Sequence, residues 1–338
     1  MTVKMPIDPN EPVDLPGPPD QTNKTLWRRG ERARPSIEIA RPYDPRPLMG
    51  ALAARTTQDR YRFAVFGDTH HSPAFATIAQ MLPALGVDFA VTVGDLVDLG
   101  GGREGPVHYG KLAAEADRLL RSMPVWAAIG NHDADSRWER DVWNGWANFR
   151  AFFNLPPWYR FDFRNATFLV LSWMLPDEEE LAWLKEQLAA RTSRHVFVVG
   201  HYPLHRIMGV VGQAETERPV ERELRRLLSD HGVAAHFSGH AHVYYRTRRD
   251  GVTYLTSGCA GVKTAEVTFP EGTQADDAWF GRRDGRYVLR ADGRDRHFES
   301  MPNAFVVIDV DGPRITGRTI STTGETWDSF SIREPVSP

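Results

Sequence analysis

Short apolar runs, most of them closed by a glycine and then a polar residue, recur along the chain. Tyr61 to Phe66 ends at Gly67-Asp68-Thr69-His70-His71, Val87 to Val93 at Gly94-Asp95-Leu96-Val97-Asp98, and Pro124 to Ile129 at Gly130-Asn131-His132-Asp133. His195 to Val199 ends at Gly200-His201, and Val233 to Phe237 runs into Gly239-His240-Ala241-His242. Runs this short and this uniformly apolar predict strands covered on both faces. Helical patterns fall between them: Phe75 to Leu85, disturbed by Pro83; Tyr109 to Arg121; Asp177 to Ala190, acidic in its first turn; and Arg218 to Asp230, with Val220, Leu224, Leu227 and Leu228 on one side. The alternation predicts an α/β protein whose largely parallel sheet presents functional groups at the carboxyl ends of its strands. Tyr159 to Phe163 and Thr167 to Ser172 read as a hairpin turning at Arg164-Asn165. Beyond His242 the pattern becomes β-rich, with strands over Val243 to Thr247, Val252 to Thr256, Ala304 to Val310 and Ile315 to Ile320.

Three stretches stand outside this alternation. Residues 1–57 form a proline-rich arm, with ten prolines in the first fifty positions, a density that argues against regular helix or strand. Its Leu26, Trp27, Ile37, Ile39, Tyr43 and Leu48 are apolar groups that a solvated tail has no use for, so an arm packed on the body or on a second subunit is an equal alternative. Residues 58–335 then constitute the main domain. Within it, the aromatic-rich segment from Trp138 to Tyr159 reads as a helix and loop packed on the body, with a wall of the substrate cleft as the sharper alternative. Residues 271–300 are rich in Asp and Arg and carry no visible chemistry; they suit an inserted hairpin, a solvated loop or an oligomer contact.

Composition narrows the function. The formal charge of −3 gives no basic excess, so neither nucleic acid nor an anionic membrane is expected as a partner. A single cysteine, Cys259, precludes an intrachain disulfide and an all-thiolate metal site, and is read as a small buried hydrophobe. No apolar run approaches the ~20 residues of a spanning helix, and residues 1–19 lack an apolar signal core, which makes a cytoplasmic protein the simplest reading.

The five strand-end clusters bring together Asp68, His70, Asp95, Asn131, His201, His240 and His242. Singly each is weak, since Gly-Asp after a strand is usually a turn and a lone histidine is usually structural. Jointly, carboxylate, amide and imidazole in this order suit manganese, iron or zinc, and seven ligands with Asp95 shared make two sites with open positions.

The ordered set D-x-H, G-D-x-x-D, G-N-H-D, G-H and G-H-x-H resembles the calcineurin-like metallophosphoesterases over about residues 61–260, and Asn303 to Gly312 is similar to the family's closing strands. The resemblance implies a four-layer αββα sandwich of two mixed β-sheets with metals at one edge. It implies that Asp68, His70, Asp95 and His242 hold one metal ion, and that Asp95, Asn131, His201 and His240 hold the other. It gives His132 the role of the non-ligand histidine that assists the leaving group, oriented by Asp98. The implied reaction is hydrolysis of a phosphomonoester or phosphodiester by water that two divalent or trivalent ions acidify. Two positions depart from relatives within the superfamily. Asp98 stands where purple acid phosphatases carry an iron-ligating tyrosine, and Leu99 where phosphoprotein phosphatases carry an arginine, so the pattern resembles the broad bacterial-type phosphatase and phosphodiesterase group. His71 and His205, beside ligand motifs, are candidates for contacting a small-molecule phosphoester, with an ordinary structural histidine as the equal alternative. The rival readings are a non-catalytic protein-binding scaffold, which degenerate ligands would betray, and a DNA-end nuclease, which the missing basic excess opposes. An oligomer built through the arm is compatible with the sequence.

Overall fold

In the computed structural model of the chain, Phe63 lies at the centre of a stack of rings drawn from two sheets. Its ring meets Phe168 at 5.2 Å, Phe197 at 5.3 Å and Phe237 at 6.0 Å between centroids. Residues 34–39, 41–134, 144–172, 175–205, 218–262, 264 and 276–332 are described. Trp138 and Trp143 of the aromatic segment, and positions 271–275, lie outside them.

The first sheet combines β1 (Arg60–Phe66), β2 (Phe89–Thr92) and β3 (Val125–Ala127) with the closing strands β13 (Ala304–Asp311), β14 (Arg314–Ser321) and β15 (Thr326–Ile332). Its order is β15-β14-β13-β1-β2-β3, with β1, β2 and β3 parallel and the rest antiparallel. The second sheet contains β4 (Tyr159–Phe163), β5 (Ala166–Val170), β6 (His195–Val199), β7 (Ala235–Ser238), β8 (Tyr244–Arg249), β9 (Val252–Ser257), β10 (Ala278–Arg283), β11 (Arg286–Ala291) and β12 (Arg294–Phe298). Its order is β12-β11-β10-β8-β9-β7-β6-β5-β4, with β5, β6, β7 and β9 running parallel.

Period-two alternation explains how each strand serves two layers. In β6, Phe197 and Val199 join the core between the sheets, whereas Val196 and Val198 join a second cluster. That cluster packs against Leu181, Leu184 and Leu188 of one helix (Glu178–Ala189) and Leu224, Leu227 and Leu228 of another (Pro219–Asp230). On the far side of the first sheet, the helices Pro73–Ala84 and Gly105–Ser122 bury Phe75, Ile78, Leu82, Tyr109, Leu112 and Ala116. The result is the αββα sandwich, helix outside sheet on both sides. Among the described residues no helix is long and apolar enough to cross a membrane.

Two stretches correct the sequence reading. Within the proline-rich arm, Pro45–Arg55 is a helix. Pro45 occupies its first turn, where backbone N–H groups have no intrahelical partner, and Asp44 caps it by accepting from the Arg46 amide at 3.0 Å. The described part of the arm lies on the body: Tyr43 N–H donates to the Phe152 carbonyl at 2.7 Å, and Ile37, Tyr43, Met49 and Leu52 are buried in the main core. The polar stretch near the carboxyl end is a three-stranded meander, β10 to β12, that extends the second sheet through β8.

Candidate metal centre

The five clusters arrive at one edge of the sandwich because β1, β2 and β3 of the first sheet and β6 and β7 of the second present their carboxyl ends there. The turns that follow are tight. Asp68, His70, His71, Asp95 and His240 all have φ between 44° and 65°, the left-handed region that costs non-glycine residues of order 1–3 kcal/mol each. Glycine permits the crowding. Gly94 has φ +93°, and a Cβ there would stand 2.7 Å from His201 Nδ1 and 2.8 Å from the Gly130 nitrogen. A Cβ on Gly130 would run into the Asp95 carboxylate.

Asp68, Asp95 and His201 are at most 1% exposed. The His201 Nδ1–H donates to the Val93 carbonyl at 2.7 Å, which leaves Nε2 as the nitrogen that can ligate or hold a second proton. That nitrogen faces two further acceptors, Asn131 Oδ1 at 2.9 Å and Asp95 Oδ2 at 3.3 Å. His240 Nδ1 closes on the same Asn131 oxygen at 2.9 Å. On the other flank of Asp95, His70 Nε2 lies 3.9 Å from Oδ2, buried and without a hydrogen-bond partner. His242 Nε2 lies 3.6 Å from Asp68 Oδ1, and the His240 amide donates to both Asp68 oxygens at 3.0 and 3.1 Å. Two groups of ligand atoms result, Asp68 with His70 and His242, and Asp95 with His201 and His240. Lone pairs that converge in a buried space need a proton or a cation between them, and this mixed oxygen and nitrogen set suits manganese, iron or zinc.

The electrostatics agree. Burial pushes the Asp68 carboxyl well above the usual carboxylate range against the pull of His201, and the Asp95 charge adds to the rise. Burial also opposes ionisation of Asp95, but His201, His132 and His70 outweigh it and hold that carboxyl well below the ordinary range. Burial lowers His201, yet Asp95 and Asp68 bring it up to about 9. Burial and His70 push His242 down to about 3, leaving a neutral ring able to ligate.

His132 lies beside the group, its Nε2 4.0 Å from Asp95 Oδ2 and its ring 4.6 Å from that of His70. The expected orienting partner is corrected in one respect. The His132 Nδ1–H donates to the backbone carbonyl of Asp98 at 2.7 Å, while the Asp98 carboxylate accepts from His70 Nδ1 at 2.7 Å. The carboxylate therefore points to a candidate ligand, fixing its tautomer and leaving Nε2 free for metal. The reason is local: the turn after β2 sends the Asp98 side chain toward the His70-His71 turn, leaving its carbonyl toward His132. His71 shares that carboxylate, its Nε2 3.0 Å from Asp98 Oδ2. The structure does not bring His205 into the group. His205 packs edge-on against Tyr254 at 4.3 Å, a residue of the second cluster, and burial lowers its pKa to about 3.

Two residues with a part here went unassigned in the sequence. Asp133, wholly buried, accepts from the amides of Asp95 at 2.9 Å, Leu96 at 2.9 Å, Val97 at 3.2 Å and Gly130 at 2.8 Å. It ties the loop after β2 to the loop after β3, and its place in Gly-Asn-His-Asp was the available signal. His108, on the helix Gly105–Ser122, meets His71 and had no motif to mark it.

Fold and site together define a protein of the metallophosphoesterase kind, and the comparisons agree. The family model for calcineurin-like phosphoesterases matches residues 61–244, and the chain belongs to that family. The chain is 28% identical over 221 residues to the tartrate-resistant acid phosphatase type 5 of Mus musculus, a match covering 56% of this chain and 66% of that protein. It therefore spans just under two thirds of that relative's length. Among solved structures it resembles the purple acid phosphatase PPD1 of Lupinus luteus, at TM-score 0.63 and 17% identity, covering 82% of this chain and 54% of that one. It also resembles GAP50, the anchor in the inner membrane complex of Plasmodium, at TM-score 0.58 and 17% identity, covering 83% and 90%. At that identity the two structures speak for the fold alone.

Proposed function

We propose that the chain is a metal-dependent hydrolase of phosphoesters, and that its substrate is a small phosphomonoester. The observation that carries this is the burial of Asp68, His70, Asp95 and His201, with half-buried Asn131, His240 and His242 beside them, around one carboxylate, with none of the seven expected ligands replaced. Intact ligands also weigh against a non-catalytic scaffold, although GAP50 has the same fold and is described as an anchor. The acid-phosphatase relatives favour a monoester over a diester.

Asp68, His70, Asp95 and His242 would hold one ion, and Asp95, Asn131, His201 and His240 the second. When bound, such a pair supplies Lewis acidity and acidifies water toward neutral pH. Asp95 would contribute to both, and its low pKa keeps it ionised for that purpose. Asp98 holds His70 in the tautomer that presents Nε2, and Asp133 holds the Asp95 loop in place. His132, with Nδ1 committed to the Asp98 carbonyl, offers Nε2 to the leaving oxygen and can carry its proton.

A purified-protein assay with manganese supplied tests the reading, comparing a chromogenic monoester, a chromogenic diester and cyclic nucleotides with and without chelator. Chelator-sensitive release from the monoester is the expected result. Hydrolysis that survives complete metal removal, or none on any phosphoester, contradicts it.

A further inference from the structure

Asp98, His71 and His108 converge outside the group just described. His71 Nε2 lies 2.7 Å from His108 Nδ1 and 3.0 Å from Asp98 Oδ2, and His108 Nδ1 lies 3.7 Å from the same oxygen. Three ligand atoms thus face one point.

The two facing nitrogens share one hydrogen between them. If His71 Nε2 carries hydrogen, a single N–H must serve both the His108 nitrogen and the carboxylate. If His108 Nδ1 carries it instead, the lone pair of His71 Nε2 confronts the carboxylate oxygen at 3.0 Å. A cation inside the triangle accepts all three lone pairs at once. The spacing is also right. Ligand atoms at about 2.0–2.1 Å from a tetrahedral zinc ion stand roughly 3.3 Å apart, within the observed span of separations.

Three independent features support a built site. His71 holds φ 44° directly after His70 at φ 45°, and that strained pair of turns aims one ring at each oxygen of Asp98. Glu115, two turns beyond His108 on the same helix, has a buried Oε2 with no hydrogen-bond partner and lies within the field of His71 and Asp98. The Asp98 side chain is 44% exposed, whereas those of His71 and His108 are 11% and 12% exposed, so the two rings are packed while an entry path remains. Lys111 on the same helix acts against a cation, but it is exposed.

We propose that Asp98, His71 and His108 bind a further divalent transition-metal ion of the zinc class. Its three protein ligands leave at least one position open to water or ligand. Asp98 links it to the dinuclear centre, one carboxylate oxygen serving His70 and the other this ion.

Zinc content per chain, measured by elemental analysis after loading and desalting, tests this in the wild type, His71→Ala and His108→Ala. Thermal melting confirms that each variant is folded, and His108→Phe, which keeps a ring in place, substitutes for His108→Ala if that variant does not fold. Three equivalents in the wild type and two in each variant are expected. An equal zinc count in the wild type and the folded variants overturns the site, whatever that count is. One equivalent in the wild type and none in the variants keeps this site while removing the dinuclear reading, so the two inferences fail separately.

Discussion

The two histidine clusters share a border at Asp98 and differ in how they are built. The inner one is assembled from strand ends of both sheets, with both carboxylates, His70 and His201 buried, and held by left-handed turns and close glycine contacts. The outer one joins a strand-end loop to a helix, and its carboxylate is open to water. Burial decides what each can do. In the inner cluster desolvation makes an uncompensated charge expensive, so the side chains are committed to a cation or a proton. In the outer cluster water can take up part of that load, so a metal ion there should be held less tightly and exchange faster.

The contrast can be broken most sharply at Asp95. Asp95→Asn removes the shared charge at nearly constant volume, and both phosphomonoester hydrolysis and the metal content of the inner cluster should fall below detection, read by assay and elemental analysis. His132→Ala should keep the metals and lose about 10²–10⁴-fold in rate, because His132 handles the proton rather than the ion. Full rate with both metals retained would remove His132 from the mechanism. Asp98→Asn touches both clusters. It should weaken metal affinity by about 10–100-fold at the inner cluster through His70, measured by manganese titration, and should abolish binding at the outer one.

The smallest effect concerns two buried histidines outside both clusters. Burial lowers the pKa of His236 to about 3 from its ordinary 6.5, and His205 likewise. The unfolded chain takes up protons at these rings near pH 6.5 while the folded chain resists until about pH 3. Their contribution is therefore complete above about pH 6.5 and is lost as pH falls toward 3, with a slope of up to about 1.4 kcal/mol per pH unit per ring. His236→Leu should flatten the decline in melting temperature between pH 7 and 5.

What the sequence disclosed follows from the same contrast. The strand-end motifs were legible because an apolar run, a glycine and a ligand lie adjacent along the chain, and the helix Glu178–Ala189 was legible through the acidic residues of its first turn. Asp133 was visible but silent, since accepting from four backbone amides leaves no mark on spacing. His108 was invisible because its partner is 37 residues away and its own neighbours form an ordinary helix. The direction of the Asp98 side chain depends on a turn, which a motif does not encode. Strands β10 to β12 were hidden by their arginines: β12 is largely exposed and takes its conformation from pairing with β11 rather than from an apolar face. β15, rich in Ser, Thr and Asp, escaped for the same reason and is secured by eight-residue β14 and by buried Trp327 and Ile332.

The most direct test of the dinuclear centre is anomalous X-ray diffraction from crystals of manganese-loaded protein, recorded at the manganese edge. The account predicts two peaks about 3.5–4 Å apart, one on each side of the Asp95 carboxylate. No peak within coordination distance of Asp95 would contradict it.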